Sequence, residues 1–127
     1  MGDVTHPTPT QVIMDITAVG LDIGKTWFHF VGCNRADKPV MRHKFNRSQL
    51  AQFMANLPAC LIGMEACPGS QHLARLFQRY GHEVRLIAPK FVKAYVKSQK
   101  NDFNDAAAIA EAVTRPTMRF VAYSEGS

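Results

Sequence analysis

Four carboxylates in this sequence have the residue types and spacing that divalent-metal chemistry requires. Asp22 lies in the run Gly-Leu-Asp-Ile-Gly and Glu65 in Gly-Met-Glu-Ala, each within or at the end of an apolar run typical of a buried strand. An ionised carboxylate in such a place is costly unless a metal or another cation compensates its charge. Asp102 and Asp105 stand three residues apart at the start of a helical stretch, so they share one helix face. Together these residues predict a metal site.

The chemistry that such a site supports is phosphodiester displacement. Two divalent ions about 3.5–4 Å apart can activate an attacking oxygen and stabilise a leaving oxygen. Mg²⁺ prefers oxygen ligands and retains several waters, so a few carboxylates and a substrate phosphate suffice. We expect Asp22 to be the central ligand, with Glu65 and one of Asp102 and Asp105 completing the site. Singly, each residue also has an ordinary interpretation, as a turn former, an N-cap or a first-turn acid.

Positive charge lies next to this suspected site. The net charge is +5 and the pI about 9.4, which favours an anionic partner. Several basic residues precede the last two carboxylates, three of them at helical spacing, and one follows Asp22. A basic helical run is a solvated face or a nucleic-acid contact, and its position beside the carboxylates favours the second. The candidate nucleic-acid contacts are Lys25, Arg85, Lys90, Lys93, Lys97 and Lys100.

The elements that must position these residues follow from hydrophobic periodicity and turn signals. Short connections between the first three strands predict an antiparallel meander. Ser48 is expected to cap the first helix, and Gly81 to end the second. Strands are predicted at 16–23, 26–33, 39–45, 60–65 and 82–88, and helices at 49–57, from 70 to about 80, from 89 through 96, and at 102–113.

This order predicts an α/β fold with a mixed five-stranded sheet, a meander followed by parallel crossovers, and helices on both faces. If the first strand is central and the fourth lies parallel beside it, Asp22 meets Glu65, which closes the fourth strand. Ligands in open α/β sheets usually bind at the carboxyl ends of strands, near a switch in strand order. The predicted topology therefore gathers the carboxylates at the usual ligand position.

Length and composition bound the rest. The chain has 127 residues, enough for one domain with a substantial core. We expect a disordered leader over residues 1–15, the domain over 16–123 and a polar tail over 124–127. No apolar run approaches the roughly 18 residues needed to cross a bilayer, so no membrane partner is expected. The three cysteines have no Cys-x-x-Cys spacing, which favours a reduced, cytoplasmic setting.

Four motifs resemble, in order, the N-terminal domain of the DEDD insertion-sequence transposases, relatives of the Piv-type DNA invertases. They are Gly-Leu-Asp-Ile-Gly-Lys from residue 20, Met-Glu-Ala-Cys from 64, Gly-His-Glu-Val-Arg-Leu-Ile-Ala-Pro from 81 and Lys-Asn-Asp-Phe-Asn-Asp-Ala from 100. The resemblance runs from about residue 18 to 121. It implies an RNase H-like (RuvC-like) fold in which Asp22, Glu65, Asp102 and Asp105 are the DEDD tetrad.

The resemblance also implies an activity and partners. Such proteins cut and transfer DNA strands with Mg²⁺, for which Mn²⁺ substitutes, bind a structured guide RNA and work as homo-oligomers. They carry a C-terminal domain with a nucleophilic serine, whereas Ser124 and Ser127 match no part of that motif. We therefore expect the chain to lack that domain and to be unable to complete recombination alone. The alternative is a catalytically silent nucleic-acid-binding or assembly module.

Other signals are weaker. Gly24-Lys25-Thr26 lacks the glycine spacing of a P-loop, and no adenosine-binding motif supports an actin-like ATPase. Cys60, Cys67 and His72 do not have the spacing of a structural zinc site, and Cys60 is expected in the core. His29 and His43 are expected to be surface residues or satisfied partners. Trp27 and Phe28 are expected to pack in the core or on the sheet, with base stacking as the alternative.

Overall fold

The computed structural model describes residues 9–93, 102–115 and 120–121, with side chains excluded at 9–10 and 102–104. Its core is a six-stranded mixed sheet in the order β3-β2-β1-β4-β5-β6. None of the described helices is both long enough and apolar enough to cross a bilayer. The elements are α1 (Pro9–Asp15), β1 (Ala18–Ile23), β2 (Phe28–Cys33), β3 (Pro39–Phe45), α2 (Arg47–Asn56), β4 (Leu61–Glu65), α3 (Ser70–Arg79), β5 (Glu83–Ile87), α4 (Pro89–Lys93), α5 (Asp102–Val113) and β6 (Phe120–Val121).

The strand pairing confirms the predicted fold class. β1, β2 and β3 form an antiparallel meander, and β1, β4 and β5 are parallel neighbours. This is the mixed sheet expected of an RNase H-like domain. The sheet has one strand more than predicted, because β6 pairs antiparallel with the end of β5. A two-residue strand has no periodicity of its own, and only its long-range partner defines it.

One face of the sheet is covered by α2 and α3. Side chains that alternate along the strands point to this face and pack against the apolar stripes of the two helices. They form the larger part of the core, and almost none of their surface is exposed. The largest members are Leu21, Phe28, Phe30, Leu50, Met54, Ile62, Met64, Phe77 and Leu86.

The other face is covered by α5, which packs on β1, β2 and β4. This contact is unusually close because glycines on the strands meet alanines on the helix. A Cβ added to Gly20 would lie 1.9 Å from the carbonyl oxygen of Ala106 and 2.9 Å from the Cβ of Ala110. On β4, Gly63 lies under Ile109 and Val113 in the same way. The alanine-rich composition of α5 therefore lets its backbone approach the sheet.

A buried histidine joins three elements at the amino end of β4. The amide of Cys60 donates to Nδ1 of His82 at 3.2 Å, and Nε2 donates to the carbonyl oxygen of Met54 at 2.8 Å. Only 3% of His82 is exposed. Because both ring nitrogens have partners, His82 connects the end of α2 to β4 and β5. Burial raises the pKa of the neighbouring Cys60 thiol to about 12, so this partly buried cysteine, packed against the core, is unreactive.

The structure corrects the predicted start of the first long helix. Its N-cap is Asn46, not Ser48: Asn46 Oδ1 accepts from the Gln49 amide at 2.8 Å. The Gln49 side chain accepts from the Asn46 amide at 3.1 Å, which completes a capping box. Ser48 has Ala51 three residues later and cannot form this reciprocal pair. Gly81 ends α3 as predicted, with a left-handed φ of 101°.

One further boundary differs from the predictions, and another is described only in part. Residues 9–15, within the predicted leader, form α1, whereas 1–8 lie outside the described residues. The helix predicted from 89 through 96 is described only as α4, Pro89–Lys93. The part from 94 to 100, which includes Lys97 and Lys100, lies outside the described residues.

Candidate functional site

Asp22 and Glu65 come together through the register of β1 and β4. Leu21 pairs with Met64 in the parallel ladder, so the next residue of each strand stands at the same level on a neighbouring strand. Neighbouring strands lie about 4.8 Å apart, and residues level with one another point to the same face. That face is the one covered by α5, because Gly20 and Gly63 on it contact the helix. The predicted meeting of Asp22 and the end of β4 follows directly from this pairing.

Asp105 reaches the same place from above the sheet. α5 crosses β1 with Ala106 over Gly20, so its amino-terminal turn lies toward the ends of β1 and β4 where the two strand carboxylates stand. After burial, the charge of Asp105 is the second cause of the raised pKa of Glu65. The amino end of a helix carries a partial positive charge that favours anions. Asp102 begins α5, but its side chain lies outside the described residues.

Glu65 is the carboxylate whose ionisation the site disfavours most clearly. Burial raises the pKa of Glu65, the charge of Asp105 raises it further, and Lys93 opposes them. Desolvation and a neighbouring like charge both penalise the ionised form. A divalent cation held by these carboxylates would favour their ionised forms, because it would supply a compensating positive charge. The raised pKa of Glu65 therefore fits a site at which a bound cation would stabilise the ionised carboxylate.

Cys67 lies close enough to both Glu65 and Asp22 for their charges to act on its thiol. Burial raises the pKa of the Cys67 thiol, and the charges of Glu65 and Asp22 raise it further, in that order. Cys67 lies in the turn after β4, as predicted. Its amide donates to Ser70 Oγ at 3.1 Å, and Ser70 Oγ donates to the Cys67 carbonyl at 2.8 Å. These two hydrogen bonds fix the chain directly after Glu65.

The donor chemistry of this cluster fits a hard divalent cation. Among the residues whose side chains the structure describes, no group of three or more His, Cys, Asp or Glu could hold a metal ion. Mg²⁺ does not require one, because it is usually held by one or two carboxylates with waters and substrate phosphates. Oxygen ligands also favour Mg²⁺ or Mn²⁺ over softer metals. Asp22 and Glu65, level with each other on neighbouring strands, could contribute one or two such carboxylates, and Asp105 lies close enough to Glu65 for its charge to act there.

A pocket adjoins the cluster at the turn between β1 and β2. It has a volume of about 220 Å³ and is lined by Asp22, Gly24, Lys25, Thr26, Trp27 and His29. The turn is closed by the Gly24 amide, which donates to the carbonyl oxygen of Trp27 at 3.1 Å. Lys25 is exposed in this turn and shares the pocket with Asp22.

The other predicted basic residues lie in different surroundings. Lys93 stands close enough to Glu65 to oppose the rise in its pKa. Lys90 is exposed, with its Nζ 5.2 Å from the centroid of the Phe91 ring. Arg85 instead bonds within the protein: it pairs with Glu83 at 2.7 Å and donates to the Val113 carbonyl at 3.2 Å. Its guanidinium also covers the Phe120 ring at 4.9 Å.

These contacts give Arg85 a structural task, because it binds the last turn of α5 and the β6 strand to β5. A role in nucleic-acid binding stays a prediction for Arg85, Lys25, Lys90 and Lys93 alike. Lys97 and Lys100 fall outside the described residues, so the continuation of the basic face stays a prediction as well.

Trp27 is a candidate that the core-packing expectation missed. It is 41% exposed, whereas Phe28 beside it is 1% exposed and packs in the core as predicted. Trp27 is exposed because it belongs to the turn and not to β2, which begins at Phe28. Lys44 on β3 lies over the indole, with Nζ 4.8 Å from the ring centroid. No signal in the sequence identified this pair, because the position of Lys44 near the turn depends on the register of β2 and β3.

Comparison with known proteins agrees with the motifs. The family model of the IS110-type DEDD transposases, described as "Transposase", matches residues 19–125. The transposase for insertion sequence element IS1328 of Yersinia enterocolitica is 46% identical over 84% of this chain and 32% of its own length. A probable family 20 transposase of Pseudomonas aeruginosa is 46% identical over 85% and 32%. The transposase for IS1111A of Coxiella burnetii is 44% identical over 84% and 29%. The chain thus spans about a third of the length of these relatives.

Proposed function

Because the chain belongs to the IS110-type family of DEDD transposases, we propose that it is the catalytic N-terminal domain of a DNA transposase or recombinase. In this proposal the domain supports metal-dependent cleavage and transfer of DNA strands. A second domain carrying a serine nucleophile completes the reaction. The observation that carries the proposal is the register of β1 and β4, which places Asp22 level with Glu65 at the carboxyl ends of these strands. Asp105 on α5 supports it, because its charge acts on Glu65.

Each carboxylate has a defined task in this proposal. Asp22 is the proposed central ligand, because it lies on β1 beside Glu65 on β4 and also lines the pocket. Glu65 and Asp105 complete the site from β4 and α5, and the three-residue spacing of Asp102 assigns it to the same helix face. When bound, divalent ions activate the attacking oxygen and stabilise the leaving oxygen of a phosphodiester. Mg²⁺ is the proposed ion and Mn²⁺ its substitute.

The proposed partners are DNA and a structured guide RNA, with the full-length protein acting as a homo-oligomer. Lys93 on α4 lies close enough to Glu65 to act on it electrostatically, and Lys90 stands three residues earlier on the same helix. Lys97 and Lys100 would extend this basic face, and Lys25 would add a contact at the pocket. Because such contacts release counterions, affinity for nucleic acid should fall steeply with salt.

A second candidate function is a nucleic-acid-binding or assembly module without catalysis. It is favoured by one observation: within the described side chains, no group of three or more His, Cys, Asp or Glu could hold a metal ion. In that case the domain would only bind nucleic acid, through its basic residues, and would take no part in catalysis. The two functions differ in whether the carboxylates matter.

The test is binding of a labelled DNA duplex, measured by anisotropy with and without Mg²⁺. Lys90→Gln with Lys93→Gln should weaken binding at every salt concentration and reduce the salt slope by about 2, since each phosphate contact contributes about 0.9. Asp105→Asn should remove only the Mg²⁺-dependent part of the affinity. Asp37→Asn is the matched control, because Asp37 lies in the turn at the far end of β2. If Asp105→Asn behaves like Asp37→Asn, the catalytic proposal fails and the binding module remains.

A further inference from the structure

The turn between β1 and β2 presents an indole to solvent beside the carboxylates. Trp27 is the only tryptophan of the chain and is 41% exposed. It lines the same pocket as Asp22. Exposing a large aromatic ring forgoes the stabilisation that burial of its apolar surface would give. The backbone hydrogen bond from Gly24 to Trp27 holds this position at 3.1 Å, so the exposure is built into the turn.

Positive charge accompanies the indole on the same face of the sheet. Lys44 pairs with His29, and His29 pairs with Asp22, so these residues form one row across three strands. The Lys44 ammonium lies 4.8 Å from the centroid of the indole ring. Arg42, two residues earlier on β3, points to the same face, and both cations are exposed. With neighbouring strands about 4.8 Å apart, the Lys44 backbone is only about 10 Å from that of Asp22.

This part of the face is not covered by the helix that covers the rest. α5 packs on β1, β2 and β4, whereas β3 is the edge strand of the sheet. Lysine and arginine on an edge strand can serve simply to prevent edge-to-edge pairing. That task needs charge alone, and it does not account for an exposed indole in contact with one of the charges. An aromatic ring with adjacent cations is the combination that binds single-stranded nucleic acid.

We propose that Trp27, Lys44 and Arg42 form a stacking platform for an unpaired base of the DNA strand presented to the carboxylates. The inference rests on the proposed function and deepens it by assigning where the substrate strand lies. A base stacks on the indole, and the Lys44 ammonium exchanges its contact with the ring for a contact with a flanking phosphate. Arg42 continues the cationic track along β3. The cations offset the repulsion that Asp22 and Glu65 exert on an approaching phosphate.

The single tryptophan makes a direct test possible, because all indole fluorescence comes from Trp27. The probe is a ten-nucleotide oligothymidine, with binding followed both by indole fluorescence and by anisotropy of a label on the oligonucleotide. We expect quenching of the indole along the same isotherm as the anisotropy. Trp27→Ala should weaken binding about 10- to 100-fold, the range expected for one stacked base. Trp27→Phe, which keeps an aromatic ring, should restore most of the lost affinity.

The role of the Lys44 ammonium is tested through the salt dependence of the same binding isotherm. Lys44→Gln should reduce the slope of log affinity against log salt by about 0.7, the value for one phosphate contact with a single strand. Lys38→Gln removes an equally exposed charge from the turn before β3 and should leave the slope unchanged. Equal effects of the two substitutions would mean that only net charge matters, and would overturn the platform.

Other outcomes separate this inference from the proposed function. Binding seen by anisotropy with no quenching, or with Trp27→Ala at wild-type affinity, overturns the platform and leaves the proposed function standing. Quenching in a chain that binds no Mg²⁺ or Mn²⁺ overturns the catalytic function and keeps the platform. Tenfold tighter binding to an RNA of equal length overturns the assignment of DNA as the occupant. Absence of binding to any oligonucleotide overturns the platform. The proposed metal site is then tested by the metal titration alone.

Discussion

Replacing Gly20 by alanine should move Asp105 on α5 away from the two strand carboxylates. The substitution changes none of the proposed metal ligands. Gly20 lies on β1 two residues before Asp22, directly under α5. Its added Cβ would stand 1.9 Å from the Ala106 carbonyl oxygen and 2.4 Å from the Ala110 amide nitrogen. Both are backbone atoms of a packed helix and cannot rotate away. The helix itself must therefore withdraw from the sheet.

The size of this withdrawal follows from the contact distances. Real Cβ atoms essentially never approach another heavy atom within 3.0 Å, so α5 has to move by about 1 Å before ordinary packing returns. Overpacking of this kind typically costs about 1–3 kcal/mol of folding free energy. Mg²⁺ demands near-ideal geometry at about 2.0–2.1 Å from its ligands. A shift of about 1 Å at Asp105 should thus remove its contribution to metal binding.

The assay is urea unfolding together with a Mn²⁺ titration of the Gly20→Ala chain. Gly63→Ala is the matched control, since its Cβ would meet side chains of Val113 and Ile109 at 2.8–3.0 Å, near the other end of α5. We expect a smaller loss of stability there and nearly wild-type metal affinity. Wild-type metal affinity in a folded Gly20→Ala chain would refute the claim that contact with β1 positions Asp105.

Three other substitutions test the account through stability. Because the pKa of Glu65 is raised above its ordinary 4.5, the stability that this group contributes is fully present below pH 4.5 and lost as pH rises through the folded pKa. Without metal, Glu65→Gln should therefore be more stable than wild type at pH 7 and equal to it near pH 4 in urea titrations; an unchanged difference across this range would contradict the burial and repulsion at Glu65. His82→Leu should cost about 2–4 kcal/mol, because two buried backbone groups lose their partners, whereas the exposed His72→Leu should change stability by less than about 0.5 kcal/mol; equal losses would contradict the structural role of the buried ring. Asn46→Ala should cost about 1 kcal/mol by thermal unfolding and Ser48→Ala almost nothing, and the reverse ranking would restore Ser48 as the helix cap.

The meeting of Asp22 and Glu65 was predictable because it depends only on strand order and on where each apolar run ends. Both strands are nearly continuous apolar runs, which parallel central strands require. A central first strand beside a parallel fourth strand then leaves little freedom for the two carboxylates. The start of α2 was less predictable, since Asn46 and Ser48 are both good caps. The Gln49 side chain decides between them by completing the capping box with Asn46.

The remaining features depend on contacts between distant residues. β6 exists only through its pairing with Leu86 and Ile87. The role of Gly20 and Gly63 in admitting α5 requires knowledge of which helix lies above them. Arg85 looked like a free basic residue, yet its partners Glu83 and Val113 are reached only in the folded chain. Trp27 is exposed because the turn includes it, a shift of two residues from the predicted strand start.

Titration of the chain with Mg²⁺ and Mn²⁺, followed by calorimetry and amide NMR shifts, tests the central claim most directly. The account predicts saturable binding, with shifts at Asp22, Glu65 and Asp105. Asp22→Ala should abolish this binding and preserve the fold, while Asp37→Asn should leave it unchanged. Saturable binding of equal affinity in Asp22→Ala, or no binding in a well-folded wild-type chain, would contradict a metal site formed by these carboxylates.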